Sequence, residues 1–481
     1  MVFNSLAYLI FLPLVTLVTF LFPQRWRWAW LLAASYFFYG WGKVEYLVLL
    51  LFSTFIAFFS TQQIAASEGK TRRKWLYFAV GIDVLLLCLF KYTVFFYANL
   101  QYLLAFFAIH LPNLGMTLIL PPGISFYTFQ SLSYTIEVYR RQQNVEKHFG
   151  LYALYIGFFP QLVAGPIEQA KHLLPQLKQQ FSERFAPATR FQLENLISGG
   201  QLIVWGFFKK LVIADNIGEY LRYIFNDINN YGGMAIAIAM LLFVYQIYAD
   251  FSAYSLIATG SARLIGIQLM LNFDRPFTAQ SYSDIWRRWH ISLTLWIRTY
   301  LYLPLGGRGD KRWQYYRNIL VVYLLMGLWH GAGWTFVLFG VLHAVAFIVL
   351  DFTTPLRQIF THWLEKNGSP LLVKTVYRSL VIALFAFNCF PFRCDDIGQW
   401  LQILRQIPQH SISQIPYHYL SLIAPLILFV EYLESYQLRG DYSPFERIAQ
   451  KWWRWLVYVF LIFAIFLLGN HQSNTFYYFQ F

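Results

Sequence analysis

Apolar residues run along this chain in blocks, not in two-residue alternation. Residues 5–22, 46–66, 76–90, 234–248, 319–350, 380–390, 420–430 and 455–468 are nearly free of charge. Several approach the roughly 20 apolar residues that a spanning helix needs. With the shorter runs counted as tilted, re-entrant or extended by polar flanks, the pattern predicts roughly eleven to thirteen membrane helices. The fold class expected is all-α: a polytopic integral membrane protein with interfacial and re-entrant helices around a central cavity. No fixed-period repeat is visible. The polar segments 171–190, 308–317, 362–374, 393–418 and 437–451 are too short to fold alone, which predicts a single membrane domain over residues 1–481.

Two patterns depart from simple spanning runs. Pro, Gly and acids interrupt "LPPGISFYTFQSLSYTIEVYR" (120–140), "FFPQLVAGPIEQAKHLLPQL" (158–177) and "YADFSAYSLIATGSARLIG" (248–266). Such residues are tolerated at membrane depth only inside protein or beside water, so this half should enclose a polar interior. The stretch 283–307 reads as one amphipathic interfacial helix. At about 100° per residue, Trp286, Trp289, Leu293, Trp296 and Tyr300 form one stripe, opposite Asp284, Arg287, Arg288 and Arg298. The tryptophans are expected at headgroup level.

Composition sharpens this picture. The chain is 58% hydrophobic, 21% aromatic and 12% charged, against about a quarter charged in soluble domains. Its main partner is therefore the lipid bilayer. Net charge is +14, and the basic clusters "SEGKTRRK" (67–74) and "RRQQNVEK" (140–147) read as cytoplasmic loops and not as a nucleic-acid surface. The loop between the two intervening passes, 110–122, lacks Lys and Arg. Counting back through a short pass at 29–40 places the amino terminus outside. The first apolar run has no basic leader, so it reads as a retained helix. Cys88, Cys389 and Cys394 form no CxxC and read as inert.

Candidate chemistry centres on "GLWHGAGW" (327–334), which puts His330 in a run without Asp, Glu, Lys or Arg. Burial disfavours a charged imidazole, and a neutral one can accept a proton. The alternative, a helix–helix hydrogen-bonding role, stays open for His330 and weighs more for His343. His290, beside two arginines, can equally snorkel or bind headgroups. No metal-ligand spacing, Walker A sequence or GxSxG elbow occurs. No metal is expected and no cofactor-binding residue is marked.

These residues resemble the membrane-bound O-acyltransferases. The likeness lies closest to the bacterial branch of alginate O-acetylation and teichoic-acid D-alanylation membrane proteins. It runs nearly end to end, from "MVFNSLAYLIFLPLV" through "NFDRPF" to "FRCDDIGQWLQIL", and is most specific at "WRRWHISLTLWIRTYLYLPLGG" and "RNILVVYLLMGLWHGAGWTFVLFGVLHA". The resemblance implies acyl transfer to a hydroxyl at a site within a bacterial cell membrane. His330 would be the main catalytic residue and His290 a second one. The donor would be a cytosolic acyl thioester such as acetyl-CoA, consumed as substrate with no resident cofactor. The acceptor would be an exported glycan, reached directly or through an external acyltransferase partner. Tyr248, Asp250, Tyr254, Trp329 and Arg298 are candidates for the cavity lining, with structural hydrogen bonding an equal reading for the first three. Leu256 and Thr299 stand where the family often has acids, near Arg263 and Arg298, which leaves acceptor and partner open. A transporter or pore without acyl chemistry is the alternative, although no inverted repeat supports it.

Overall fold

The structure, a computed structural model, describes residues 1–112, 120–181, 191–408, 415, 417–448 and 450–470. Parts of the expected loops 110–122, 171–190, 393–418 and 437–451 lie outside the described residues. The described residues are helices and connecting turns, with no strand among them. Seven of these helices are long and apolar enough to cross a membrane, including Glu45–Ala66, Gly69–Ala105, Gly233–Leu264 and Trp334–Phe352. Leu6–Leu21 is apolar but shorter. The chain is an all-α, multi-pass membrane protein. Other helices on the predicted runs are short, such as the 14-residue Arg27–Gly40, or carry acids, such as Tyr417–Ser435 with Glu431 and Glu434.

Two compact units are built from interleaved stretches, Met1–Ile203 with Ile257–Met270, and Val204–Leu256 with Leu271–Phe481. In the first, the interrupted segment at 120–140 forms the helix Ile124–Tyr139, fourteen of whose sixteen residues are buried. Protein, not lipid, therefore surrounds its polar side chains. Ser131 donates to Asp83 (2.6 Å) and so does Ser53 (3.1 Å), which satisfies a carboxylate carried by a membrane helix. The second interrupted segment buries Glu168, which lies 2.7 Å from His172 Nδ1 and accepts the Met270 N–H at 2.5 Å.

In the second unit, the uncharged run 319–350 becomes two packed helices, Arg312–His330 and Trp334–Phe352, joined by Gly331–Ala332–Gly333. Small residues set the approach between them. A Cβ on Gly327 would meet the Phe336 carbonyl oxygen at 2.2 Å, and one on Gly340 would meet the Tyr323 carbonyl oxygen at 2.4 Å. Close backbone contact replaces the hydrophobic drive that lipid removes.

The expected amphipathic helix 283–307 is not continuous. Tyr282–Arg288 ends before Trp289, His290 takes left-handed φ 42° and ψ 56°, and Ile291–Ile297 begins a new helix. The stripe Trp286, Trp289, Leu293, Trp296 and Tyr300 is buried throughout. It faces protein instead of headgroups: Trp286 packs on Tyr323 and Phe385, and Trp289 on Phe385.

Candidate active site

The break at His290 is fixed from outside its own helices. The Asn272 carbonyl accepts the Ile291 N–H (2.9 Å), and the Arg288 carbonyl accepts the Asp274 N–H (2.9 Å). The Asn272 side chain accepts from Ser292 Oγ (2.6 Å) and donates to Ser255 Oγ (3.0 Å). Arg288 closes the turn through Asp284 (2.9 Å) and Thr278 (3.2 Å). A left-handed conformation costs a non-glycine residue roughly 1–2 kcal/mol, and these surrounding bonds hold it in place. Sequence periodicity missed this strap, because it fits helix angles straight through residues 289 and 290. The signal was present in "NFDRPF", whose Asn272 and Asp274 now have defined partners.

The turn places His290 on the wall of a cavity that His330 also lines. His330 is the last residue of its helix, where the chain leaves helical geometry at Gly331. Trp329 packs against both imidazoles, with ring centroids 5.9 Å from His290 and 5.0 Å from His330. His290 also meets Phe251 edge-on at 4.6 Å, and His330 meets Phe392 at 5.0 Å. Both histidines are buried, at 2% and 8% exposure. Burial pushes the His290 imidazole down to about 3, so it is neutral across the physiological range.

The hollow is apolar and aromatic, contrary to the polar interior expected. Besides the histidines, its lining offers Cys389 and the tryptophans Trp286 and Trp289 among otherwise hydrocarbon side chains. The Trp286 indole N–H is buried without a hydrogen-bond partner. Tyr248, Asp250 and Tyr254 are not in the lining; they serve a buried ionic layer. Lys209 pairs with Glu434 (2.9 Å) and lies 4.0 Å from the Tyr248 ring centroid. Tyr248 Oη donates to Glu434 (2.8 Å). Lys210 pairs with Asp215 (2.8 Å) and Asp250 (2.9 Å) and stands over the Tyr254 ring. Two buried ammonium groups need acids, and they draw these residues away from the cavity. Arg298 is exposed, while Leu256 and Thr299 are half-buried; none of the three lines the cavity.

His343 lies behind one wall. Its Nδ1 is 2.5 Å from Tyr282 Oη, which accepts from Asn388 Nδ2 (2.6 Å), and its Nε2 is 3.8 Å from Cys389 Sγ. Among the described residues no group of three or more His, Cys, Asp or Glu is placed to hold a metal ion.

An apolar cavity bearing two buried imidazoles favours charge-sensitive chemistry, since weak dielectric screening strengthens each polar contact at the reacting atoms. Comparison with known proteins agrees with that character. The model of MBOAT, the membrane-bound O-acyltransferase family, matches residues 124–390. A probable alginate O-acetylase AlgI of Azotobacter vinelandii is 37% identical over 346 residues, 71% of this chain and 67% of that protein. A peptidoglycan O-acetyltransferase of Helicobacter pylori is 35% identical over 354 residues, 68% of this chain and 64% of its own length. A teichoic acid D-alanyltransferase of Bacillus subtilis is 26% identical over 280 residues, covering 56% and 67%.

Proposed function

Because this chain belongs to the membrane-bound O-acyltransferase family and is an O-acyltransferase, we propose that it moves an acetyl group from a cytosolic acyl thioester to a hydroxyl of an exported polysaccharide. Family membership removes the transporter alternative. The observation that carries the reading is the single cavity lined by both His290 and His330. His330 takes the proton of the acceptor hydroxyl as its oxygen attacks the thioester carbon. The O–C bond forms, the C–S bond breaks, and the proton passes to the departing thiolate. A positioned base supplies about 10²–10⁴-fold. Neutral His290, or the unpartnered Trp286 N–H, donates to the oxyanion.

The apolar wall suits a small acyl group and excludes water that would hydrolyse it. The relatives named a probable alginate O-acetylase, a peptidoglycan O-acetyltransferase and a teichoic acid D-alanyltransferase support a cell-envelope polymer as acceptor and a bacterial cytoplasmic membrane as the location. An external acyltransferase completes delivery where the polymer does not reach the cavity. The test uses membranes, labelled acetyl-CoA and the polymer fraction. His330→Ala, inserted at normal levels, should lose polymer label by at least about 10²-fold. Full labelling by that variant would overturn the assignment.

A further inference from the structure

Cys389 is the one thiol on the cavity wall that carries His290 and His330. It ends the helix Pro370–Cys389, and its Sγ faces His343 Nε2 at 3.8 Å. The opposite ring nitrogen of His343 is fixed by Tyr282 Oη, which Asn388 holds in turn. A nucleophile, a base within reach and a group that orients the base are the parts of an activated-nucleophile site. Phe339 ties this group to the first one, with ring centroids 5.5 Å from His330 and 4.3 Å from His343. No sequence spacing reveals the constellation, since Tyr282, His343 and Cys389 come from three separate helices.

We propose that Cys389 is acylated during turnover, so that transfer proceeds through an S-acyl-cysteine intermediate. The proposal rests on the cavity being the acyl-transfer site. In the first step His343, in the tautomer whose Nδ1–H donates to Tyr282 Oη and leaves Nε2 an acceptor, takes the Cys389 thiol proton at Nε2 while Sγ attacks the donor carbonyl. The Sγ–C bond forms, the donor C–S bond breaks, and the proton leaves with the donor thiol. In the second step the acceptor hydroxyl gives its proton to His330 and attacks the acyl carbon. The O–C bond forms, the C–Sγ bond breaks, and the proton returns to Cys389. One thioester replaces another, so no co-reactant is required. The covalent intermediate lets donor and acceptor react in turn, so the kinetic order is ping-pong.

The experiment incubates purified full-length protein with labelled acetyl-CoA, without acceptor, and maps the label by peptide mass spectrometry and hydroxylamine lability. The His330→Ala variant, blocked at the second step, should accumulate hydroxylamine-labile label on Cys389 toward one per chain. Cys389→Ala should carry no label and lose polymer acylation by at least tenfold. No label on Cys389 in either wild type or His330→Ala overturns the proposal, and that readout leaves Cys389 unaltered. Wild-type polymer acylation by Cys389→Ala also overturns it, while leaving the role of His330 intact. Full polymer acylation by His330→Ala would instead overturn the underlying site assignment.

Discussion

Replacing His290 separates its backbone from its ring. The residue sits at φ 42° and ψ 56°, where an L side chain pays roughly 1–2 kcal/mol. His290→Gly and His290→Ala both delete the imidazole, so the loss of its contacts with Phe251 and Trp329 is largely common to the pair. They differ in two opposing ways. Glycine escapes the left-handed penalty, but its unfolded chain is freer, which disfavours it by about 0.4–1 kcal/mol. The balance favours His290→Gly by just under about 1 kcal/mol, or on the order of 1–2 °C in apparent Tm for a chain this long. Thermal unfolding in one detergent at one scan rate measures the difference, because irreversible unfolding makes the midpoint rate-dependent. Polymer acylation should fall by at least about 10²-fold in both, so the more stable variant gains no activity. An alanine variant as stable as the glycine one would refute the left-handed turn. A glycine variant with wild-type turnover would refute a chemical role for the ring.

Two further outcomes follow from packing and charge. Gly327→Ala drives a methyl group into the Phe336 carbonyl; it should cost about 1–3 kcal/mol and reduce acyl transfer by displacing His330. Gly200→Ala, whose Cβ meets nothing within 4 Å inside the helix Leu193–Phe207, should leave stability equal or raised by up to about 1 kcal/mol. Equal losses from both, read by thermal unfolding and labelling, would exclude close helix contact as the cause. The His172 bond to buried Glu168 raises the His172 imidazole above its ordinary value, against the opposing effect of burial. The folded state thus holds that proton more tightly than the unfolded one. Its contribution is complete below about 6.5 and is lost as pH rises through the folded value. The apparent Tm of wild type relative to His172→Gln should therefore fall between pH 6 and 9; a flat difference would show that the pair adds no charge-dependent stability.

The membrane character and most helices were legible because lipid imposes a simple rule: satisfy the backbone internally and cover it with apolar side chains. Periodicity also identified the buried stripe at residues 286–300, even though it misjudged what covers it. A tryptophan facing Tyr323 and one facing headgroups look alike in one dimension. The break at His290 was illegible for a different reason. Its residues have ordinary helix propensities, and the bonds that stop the helix come from Asn272 and Asp274, outside any window centred on residue 290.

Cavity lining was the least legible feature, and the ionic layer explains why. Tyr248, Asp250 and Tyr254 have the polarity expected of a membrane cavity, yet a buried lysine makes the same demand. Lys209 and Lys210 are adjacent at a widened, π-type turn, Phe208–Ala214, and both are buried. Neighbouring side chains point in different directions along a helix, so each ammonium needs its own acids. Glu434 meets Tyr248 across 186 positions of sequence, a partnership that no local pattern encodes. Buried ion pairs often stabilise no better than hydrocarbon, whereas removing one partner costs several kcal/mol. Such a layer therefore enforces a particular arrangement more than it adds stability. Tyr248 packs against Phe273 and Trp289, and Trp289 is part of the cavity wall. The charges hold the wall from behind while the wall itself stays apolar, so His290 and His330 face a lining with few polar groups.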